Sequence, residues 1–213
     1  APLSKKALHM AGYHFPGHTE ILSRLSNGAP PIMMLTVEGL RAVHVSTHVS
    51  LLNAIDQIQP KRILEVAQVT NDALIRMGIK NPRLALPGLN PHAGEDGTIG
   101  DEEQKFITPV IEKLRAEGYN LLGPISADTM FYGKKRRKFD AAICMYHDQA
   151  LIPIKTLDFH TSVNLTTGLS FIRTSPDHGT AFDIAGKNLA NPTSTIEAIK
   201  LAWNLSKKEQ KDQ

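Results

Sequence analysis

The segment AAICMY at Ala141–Tyr146, followed at once by His147, Asp148 and Gln149, decides the fold. A short apolar run that stops abruptly at polar residues reads as a buried strand that carries its last side chains to a sheet edge. The pattern occurs twice more: RAVHVST at Arg41–Thr47 runs into His48, and RLALPGLNP at Arg83–Pro91 runs into His92. In open α/β sheets, ligands gather at the carboxyl ends of strands. Three imidazoles delivered to that edge can make one catalytic metal centre, with three protein ligands and one open position.

Outward from these runs, helix and strand patterns alternate. Ser4 caps a helix over Lys5–Ala11 that Gly12 ends, and Gly17–Glu20 opens another through Leu25. Asn27-Gly28 and Pro30-Pro31 break the chain. Ile32–Val37 and Arg41–Thr47, joined at Glu38-Gly39, predict a hairpin. Helical spacing of apolar residues covers Leu51–Ile58 and Ile63–Met77. Leu84–Leu86 is a short buried strand, and Gly88–Gly100 is a glycine-rich loop. Asp101, Glu102 and Glu103 open an amphipathic helix to Glu117, at the end where the helix dipole favours acids. Ser162–Thr166 and Ser170–Thr174 read as strands. A last helix starts at Ser194 or Thr195 and ends near Ser206, before a polar tail, Lys207–Gln213. The alternation predicts an α/β fold in α/β/α layers.

A chain of 213 residues suffices for one sizeable domain or two small lobes. The net charge of +3 makes no global case for nucleic acid. The one basic cluster, Lys134–Lys138, follows Tyr132-Gly133 and reads as a solvated loop. No segment approaches the ~18 apolar residues of a membrane span, and no signal peptide is visible. The single Cys144 excludes an intramolecular disulfide framework and suits a reducing, cytoplasmic compartment. Its place in an apolar run makes it a small buried hydrophobe; a catalytic thiol beside His147 is the other reading.

Three constellations can carry chemistry. His48, His92 and His147 sit at strand-to-loop switches, but they are too widely spaced to form a local metal signature. On spacing alone each also reads as a structural histidine. Asp148 can orient a ligand ring. His9, His14, His44 and His160 receive no role. Lys155, Asn164 and Arg173 recur at equal intervals: a lysine can accept a proton, and an arginine can grip a carboxylate or phosphate. They read equally as surface polar residues at strand ends. The third set, Asp177–Gly186 with Ala190-Asn191-Pro192, is dense in small and polar residues that suit a nucleotide pocket. The loop Gly88–Gly97 matches no phosphate-binding glycine motif and feeds a helix that opens on three acids. It reads as a close-approach loop that presents His92.

GHTE at Gly17–Glu20, STH at Ser46–His48, GLNPHAGEDG at Gly88–Gly97, ADT at Ala127–Thr129, MYHDQ at Met145–Gln149 and RTSPDHGTAFDIAG at Arg173–Gly186 occur in this order. Together they resemble the 4-hydroxythreonine-4-phosphate dehydrogenase family of vitamin B6 synthesis. The last segment is also similar to the cofactor loop of isocitrate and isopropylmalate dehydrogenases. The resemblance implies a divalent metal on His48, His92 and His147, most often zinc, with cobalt or magnesium as alternatives, shared between the subunits of a homodimer. It implies substrate contacts from His18, Thr19, Lys155, Asn164 and Arg173. His178, Gly179, Thr180 and Asn191 would lie near NAD or NADP. Asp128 and Asp148 would stand behind the site, and Lys155 and Asp148 would take part in the chemistry.

The implied reaction is NAD-linked oxidation of the secondary alcohol of 4-phosphooxy-threonine, followed by decarboxylation. The alternatives are a paralogous dehydrogenase for another phosphorylated hydroxy acid or a cyclic diol, a metal-dependent hydrolase, and an inactive metal-binding fragment. No nucleic-acid or membrane partner is expected. Members of that family are longer, so the resemblance implies an incomplete first lobe. It divides the chain into a metal, substrate and dimerisation lobe over 1–145 and part of a cofactor-side lobe over 146–213. Ala150 and Ser170 stand where the family usually has Gly and Pro, a departure that matters only if a positive φ is needed.

Overall fold

The computed structural model describes residues 3–15, 17–26 and 31–209. The expected break at Asn27-Gly28 and Pro30 and the last four residues of the polar tail lie outside them. Seven strands form one sheet: β1 (Ile32–Val37), β2 (Leu40–His44), β3 (Arg83–Pro87), β4 (Asn120–Ile125), β5 (Ala141–Cys144), β6 (Val163–Thr167) and β7 (Arg173–Pro176). Their spatial order is β4-β3-β5-β2-β1-β6-β7. β4, β3, β5 and β2 run parallel, β1 lies antiparallel to both β2 and β6, and β7 is antiparallel to β6. Strands from both 1–145 and 146–213 therefore share this sheet.

The period-two alternation of β1 sorts the core into two layers. Ile32 and Met34 face one side and pack with α4 (Pro60–Arg76), α5 (Thr108–Ala116) and Leu205 of α8 (Thr193–Glu209). Leu35 and Val37 face the other side and pack with Met130 of α6 (Ala127–Met130) and with Ala150 and Ile154 of α7 (His147–Leu157). Three shorter helices, α1 (Lys5–Met10), α2 (His18–Ser26) and α3 (Leu51–Gln57), complete the described chain. This is the α/β/α layering that the alternation predicts. Ser4 caps α1 as expected, its hydroxyl accepting from the Ala7 N–H.

Several boundaries differ from expectation, each for a local reason. β2 stops at His44, so His48 stands in a loop rather than at the strand's last residue. The strand expected over Ser170–Thr174 is β7, shifted to Arg173–Pro176, because Gly168 at φ 84° takes up the turn after β6. The helix expected to open at Asp101 begins instead with a π-helical turn, Glu103–Ile107. Glu103 is not an exposed dipole partner. It is 3% exposed and turns inward to accept from the backbone N–H of Asn90 (2.7 Å) and from its side-chain amide (3.0 Å). α8 runs past Ser206 to Glu209, and the Lys208 ammonium bonds the Met77 carbonyl at the end of α4. Ala150 lies inside α7 without a positive φ and packs in the core, so replacing glycine there carries no strain. Lys134, Lys135, Arg137 and Lys138 are exposed on a 3-10 turn, as a solvated loop requires. Among the described residues no helix is long and apolar enough to cross a membrane.

Candidate active site

Two parallel neighbours, β2 and β5, set the centre. Beyond their last ladder residues the pairing continues: the Val45 N–H donates to the Cys144 carbonyl (2.9 Å), and the buried Ser46 hydroxyl donates to the Met145 carbonyl (3.0 Å). This stitching brings His48 beside His147, the first residue of α7, with ring centroids 5.1 Å apart. His147 Nδ1 meets Asp148 Oδ1 at 2.7 Å, which fixes the ring and leaves Nε2 free. Burial pushes the His48 pKa down, and the neighbouring His147 adds to the effect. A neutral imidazole with a free lone pair is what a metal ligand must be, so the pair suits a borderline-soft divalent ion.

Gln149, named in the sequence motif but given no role there, ties the ends of two strands together. Its side-chain oxygen accepts from the Met145 N–H (2.7 Å), and its amide donates to the Gly88 carbonyl (2.8 Å). Pro153 has no N–H to offer the Gln149 carbonyl, and the Cys144 thiol takes that acceptor at 3.6 Å. Cys144 is fully buried and burial pushes its thiol pKa up. The catalytic-thiol reading is therefore excluded, and the residue is a core hydrophobe.

His92 does not join the pair. It starts a run of six residues with positive φ, His92–Gly97, a left-handed turn that leaves its ring exposed. Asp128 feels its charge: the Asp128 carboxyl is held low first by the Ser126 hydroxyl and to a smaller extent by His92. Among the described residues no group of three or more His, Cys, Asp or Glu is placed to hold a metal ion. One chain thus presents two of the three expected ligands together.

His147, Leu151 and Lys155 lie on one face of α7 at four-residue spacing. They wall a cavity of about 770 Å³ with His48, Asn164 and Asp177. Lys155 Nζ pairs with Asp177 Oδ2 at 3.1 Å and lies over the Phe159 ring. Asp177 also accepts from the Ser162 hydroxyl, and its N–H donates to the Ser194 hydroxyl, joining α7, β6, β7 and α8. The Asn164 amide oxygen is buried and has no partner.

The register pairs Asn164 with Ser175 and Thr166 with Arg173, so all four share a face. Arg173 donates to Thr166 (2.6 Å) and to Thr19 on α2 (3.3 Å). Its charge, after burial, also presses the His18 pKa down. His18, Thr19 and Arg173 thus form a group one step along the sheet from the cavity wall.

A second cavity, of about 460 Å³, shares Asp177, His178 and Gly179 with the first and adds Thr180 and Asn191. A Cβ built on Gly179 would meet no atom within 4 Å, so a ligand can approach the backbone there. Asn191 Oδ1 accepts from the Thr193 N–H, and its amide faces His160 Nδ1 at 3.4 Å. His160, given no role from sequence, also lines this cavity. So does His44 flank the first site without having been singled out: it lies within β2, where periodicity makes it a core position, and its ring is 5.8 Å from that of His147. Burial and the two neighbouring imidazoles push its pKa down to about 4.

Fold and cavities first define a class: a three-layer α/β protein with two adjoining small-molecule cavities beside the carboxyl edge of its sheet. The chain belongs to the pyridoxal phosphate biosynthetic protein PdxA family, whose profile matches residues 1–202. It is 55% identical over 209 residues to the 4-hydroxythreonine-4-phosphate dehydrogenase of Roseobacter denitrificans, covering 97% of this chain and 64% of that one. The crystal structure of the 4-hydroxythreonine-4-phosphate dehydrogenase of Klebsiella pneumoniae superposes with a TM-score of 0.89 at 44% identity, covering 97% of this chain and 63% of that one. A terephthalate 1,2-cis-dihydrodioldehydrogenase of Burkholderia xenovorans LB400 superposes with a TM-score of 0.75 at 33% identity, covering 95% and 64%. The chain spans less than two thirds of the length of the curated relatives it matches.

Proposed function

We propose that this chain carries the active site of a metal-dependent, NAD- or NADP-linked dehydrogenase. It oxidises the secondary alcohol of 4-phosphooxy-threonine, with decarboxylation following, in pyridoxal phosphate biosynthesis. One observation carries the reading: in a chain of this family, the cavity holding His48, His147, Lys155 and Asn164 shares Asp177, His178 and Gly179 with a neighbouring second cavity. When bound, a divalent ion would supply Lewis acidity at the alcohol oxygen, and the nicotinamide cofactor a hydride acceptor.

The chain's own residues do the rest. His48, His147 and His92 would hold the ion, and imidazole ligands suit zinc or cobalt better than magnesium. Asp148 holds the His147 ring by its Nδ1. In its neutral form Lys155 Nζ accepts the alcohol proton, and as the ammonium it is held by Asp177. Asn164 Oδ1, lacking a partner, accepts from a substrate N–H or O–H. Arg173, with Thr19 and His18, grips phosphate or carboxylate. His178, Gly179, Thr180 and Asn191 line the adenosine side of the cofactor.

A homodimer sharing its active site belongs to the same reading. The exposed turn of His92 and the exposed apolar side chains of Val49, Leu51, Leu52 and Ile55, just after His48, support it. The lone buried Cys144 supports a cytoplasmic setting.

Lys155→Ala is expected to lower kcat by roughly 10²–10⁴-fold and to flatten one limb of its pH profile, with zinc content unchanged. An unaltered rate and profile would remove Lys155 from the chemistry. A paralogous activity, on another phosphorylated hydroxy acid or on a cyclic diol, is the second reading, favoured by the resemblance to the dihydrodioldehydrogenase. A substrate panel followed by NADH absorbance separates the two.

A further inference from the structure

The face of β2 that buries Leu40 and Ala42 continues to His44. This ring is 2% exposed, and neither of its nitrogens has a hydrogen-bond partner. Buried polar groups in folded proteins are almost always paired, and an orphan calls for a partner that arrives with a ligand or an ordered water. His44 pairs in register with Cys144, three residues before His147. Its ring stands 5.8 Å from that of His147, which in turn stands 5.1 Å from that of His48. Nothing else on this face of β2 is polar at this depth, and an apolar side chain would fill the slot without leaving two nitrogens unsatisfied.

We infer that His44 is a positioning residue of the His48–His147 centre, one that gains its missing hydrogen bond from a solvent or ligand oxygen when that centre is filled. The inference rests on the reading that His48 and His147 hold a divalent ion. His44 is not itself a ligand in this arrangement, since the described residues contain no three-residue ligand group. Its role is to hold the neighbouring imidazole of His147, and through it that of His48, in one geometry.

Cobalt(II) binding to the purified 213-residue chain, measured by competition with a chelator, tests this. His44→Leu removes an orphaned polar group. It is expected to fold with a thermal midpoint equal to or above that of the parent chain, yet to bind cobalt roughly 10–100-fold more weakly. His44→Gln, which can still hydrogen-bond, is expected to recover part of that loss. A merely space-filling histidine would leave cobalt affinity unchanged in the leucine variant, and affinity within about twofold of the parent overturns the inference. A leucine variant that loses its folding transition overturns it too, because an orphaned ring cannot be what the fold depends on. His147→Ala serves as the separate control. If it binds cobalt as the parent does, the metal reading itself is wrong; if it loses cobalt while His44→Leu does not, only the inference falls.

Discussion

At Cys144 a single residue carries two readings that burial decides between. Thiolate chemistry needs exposure and a lowered pKa. Cys144 has neither, lying sealed beneath α7 with its thiol pKa raised by burial. The folded chain is therefore expected to resist iodoacetamide at mildly alkaline pH and to react fully once unfolded in urea, as followed by mass spectrometry. Rapid labelling of the native chain would contradict this burial. His44 shows the opposite lesson. Periodicity reads it as a strand position like its neighbours, and no rule of spacing distinguishes an orphaned core imidazole from a satisfied one. Only the register with β5, which sets it near His147, makes it notable.

Among the elements, strands and long helices were legible because their apolar spacing is regular. β1, β5 and α3 fall within two residues of the runs that predict them, and α4 starts three residues before its run, at Pro60. The connections were not legible. Six consecutive positive φ values at His92–Gly97 include four non-glycine residues, a conformation that side chains disfavour. It persists because Glu103, drawn in from the π-helical turn, anchors Asn90 and packs under Gly94. A Cβ at Gly94 would sit 2.5 Å from a Glu103 carboxylate oxygen and 2.9 Å from the Gly100 carbonyl. Gly94→Ala is expected to cost about 1–3 kcal/mol in urea unfolding, and a parent-like midpoint would show that this packing does not hold the turn.

At the start of β3 and β5, Asp140 accepts from the Arg83 N–H (2.8 Å), Nε (3.1 Å) and Nη2 (3.0 Å). Burial alone would raise the Asp140 pKa, but these bonds outweigh it and hold the carboxyl below its ordinary 3.8. A lowered folded pKa means the contribution is fully present above the unfolded value of 3.8 and is lost as pH falls from there through the folded one. Asp140→Asn should destabilise the chain at neutral pH and flatten the acid limb of its stability curve below about pH 4. Parallel curves for the two proteins would contradict the assignment.

For the whole molecule, the α/β/α layering followed from alternation, and the hairpin predicted over Ile32–Val37 and Arg41–Thr47 is the antiparallel β1–β2 pair. The rest of the mixed sheet was not legible: nothing in the composition of β7 marks it as a second antiparallel member of a sheet whose other half is parallel. That arrangement lays Asn164 and Arg173 along one face beside α7, and the cavities follow from it. The candidate residues named from sequence divide accordingly. His48, His147, Lys155, Asn164, His178 and Gly179 share one cavity wall, His18, Thr19 and Arg173 gather beside it, and His92 stands apart on its turn. A strand-end histidine announces its edge of the sheet, but not whether the following loop curls toward its neighbours or away. The proposed oxidation of a phosphorylated hydroxy acid would take place in these adjoining cavities with a metal held on histidines. NADH formation by the zinc-loaded 213-residue chain, supplied with 4-phosphooxy-threonine and NAD, tests it most directly. Substrate-dependent NADH that disappears in the folded His147→Ala variant is the predicted result; no NADH from the loaded parent chain, or the same rate from the variant, would contradict it.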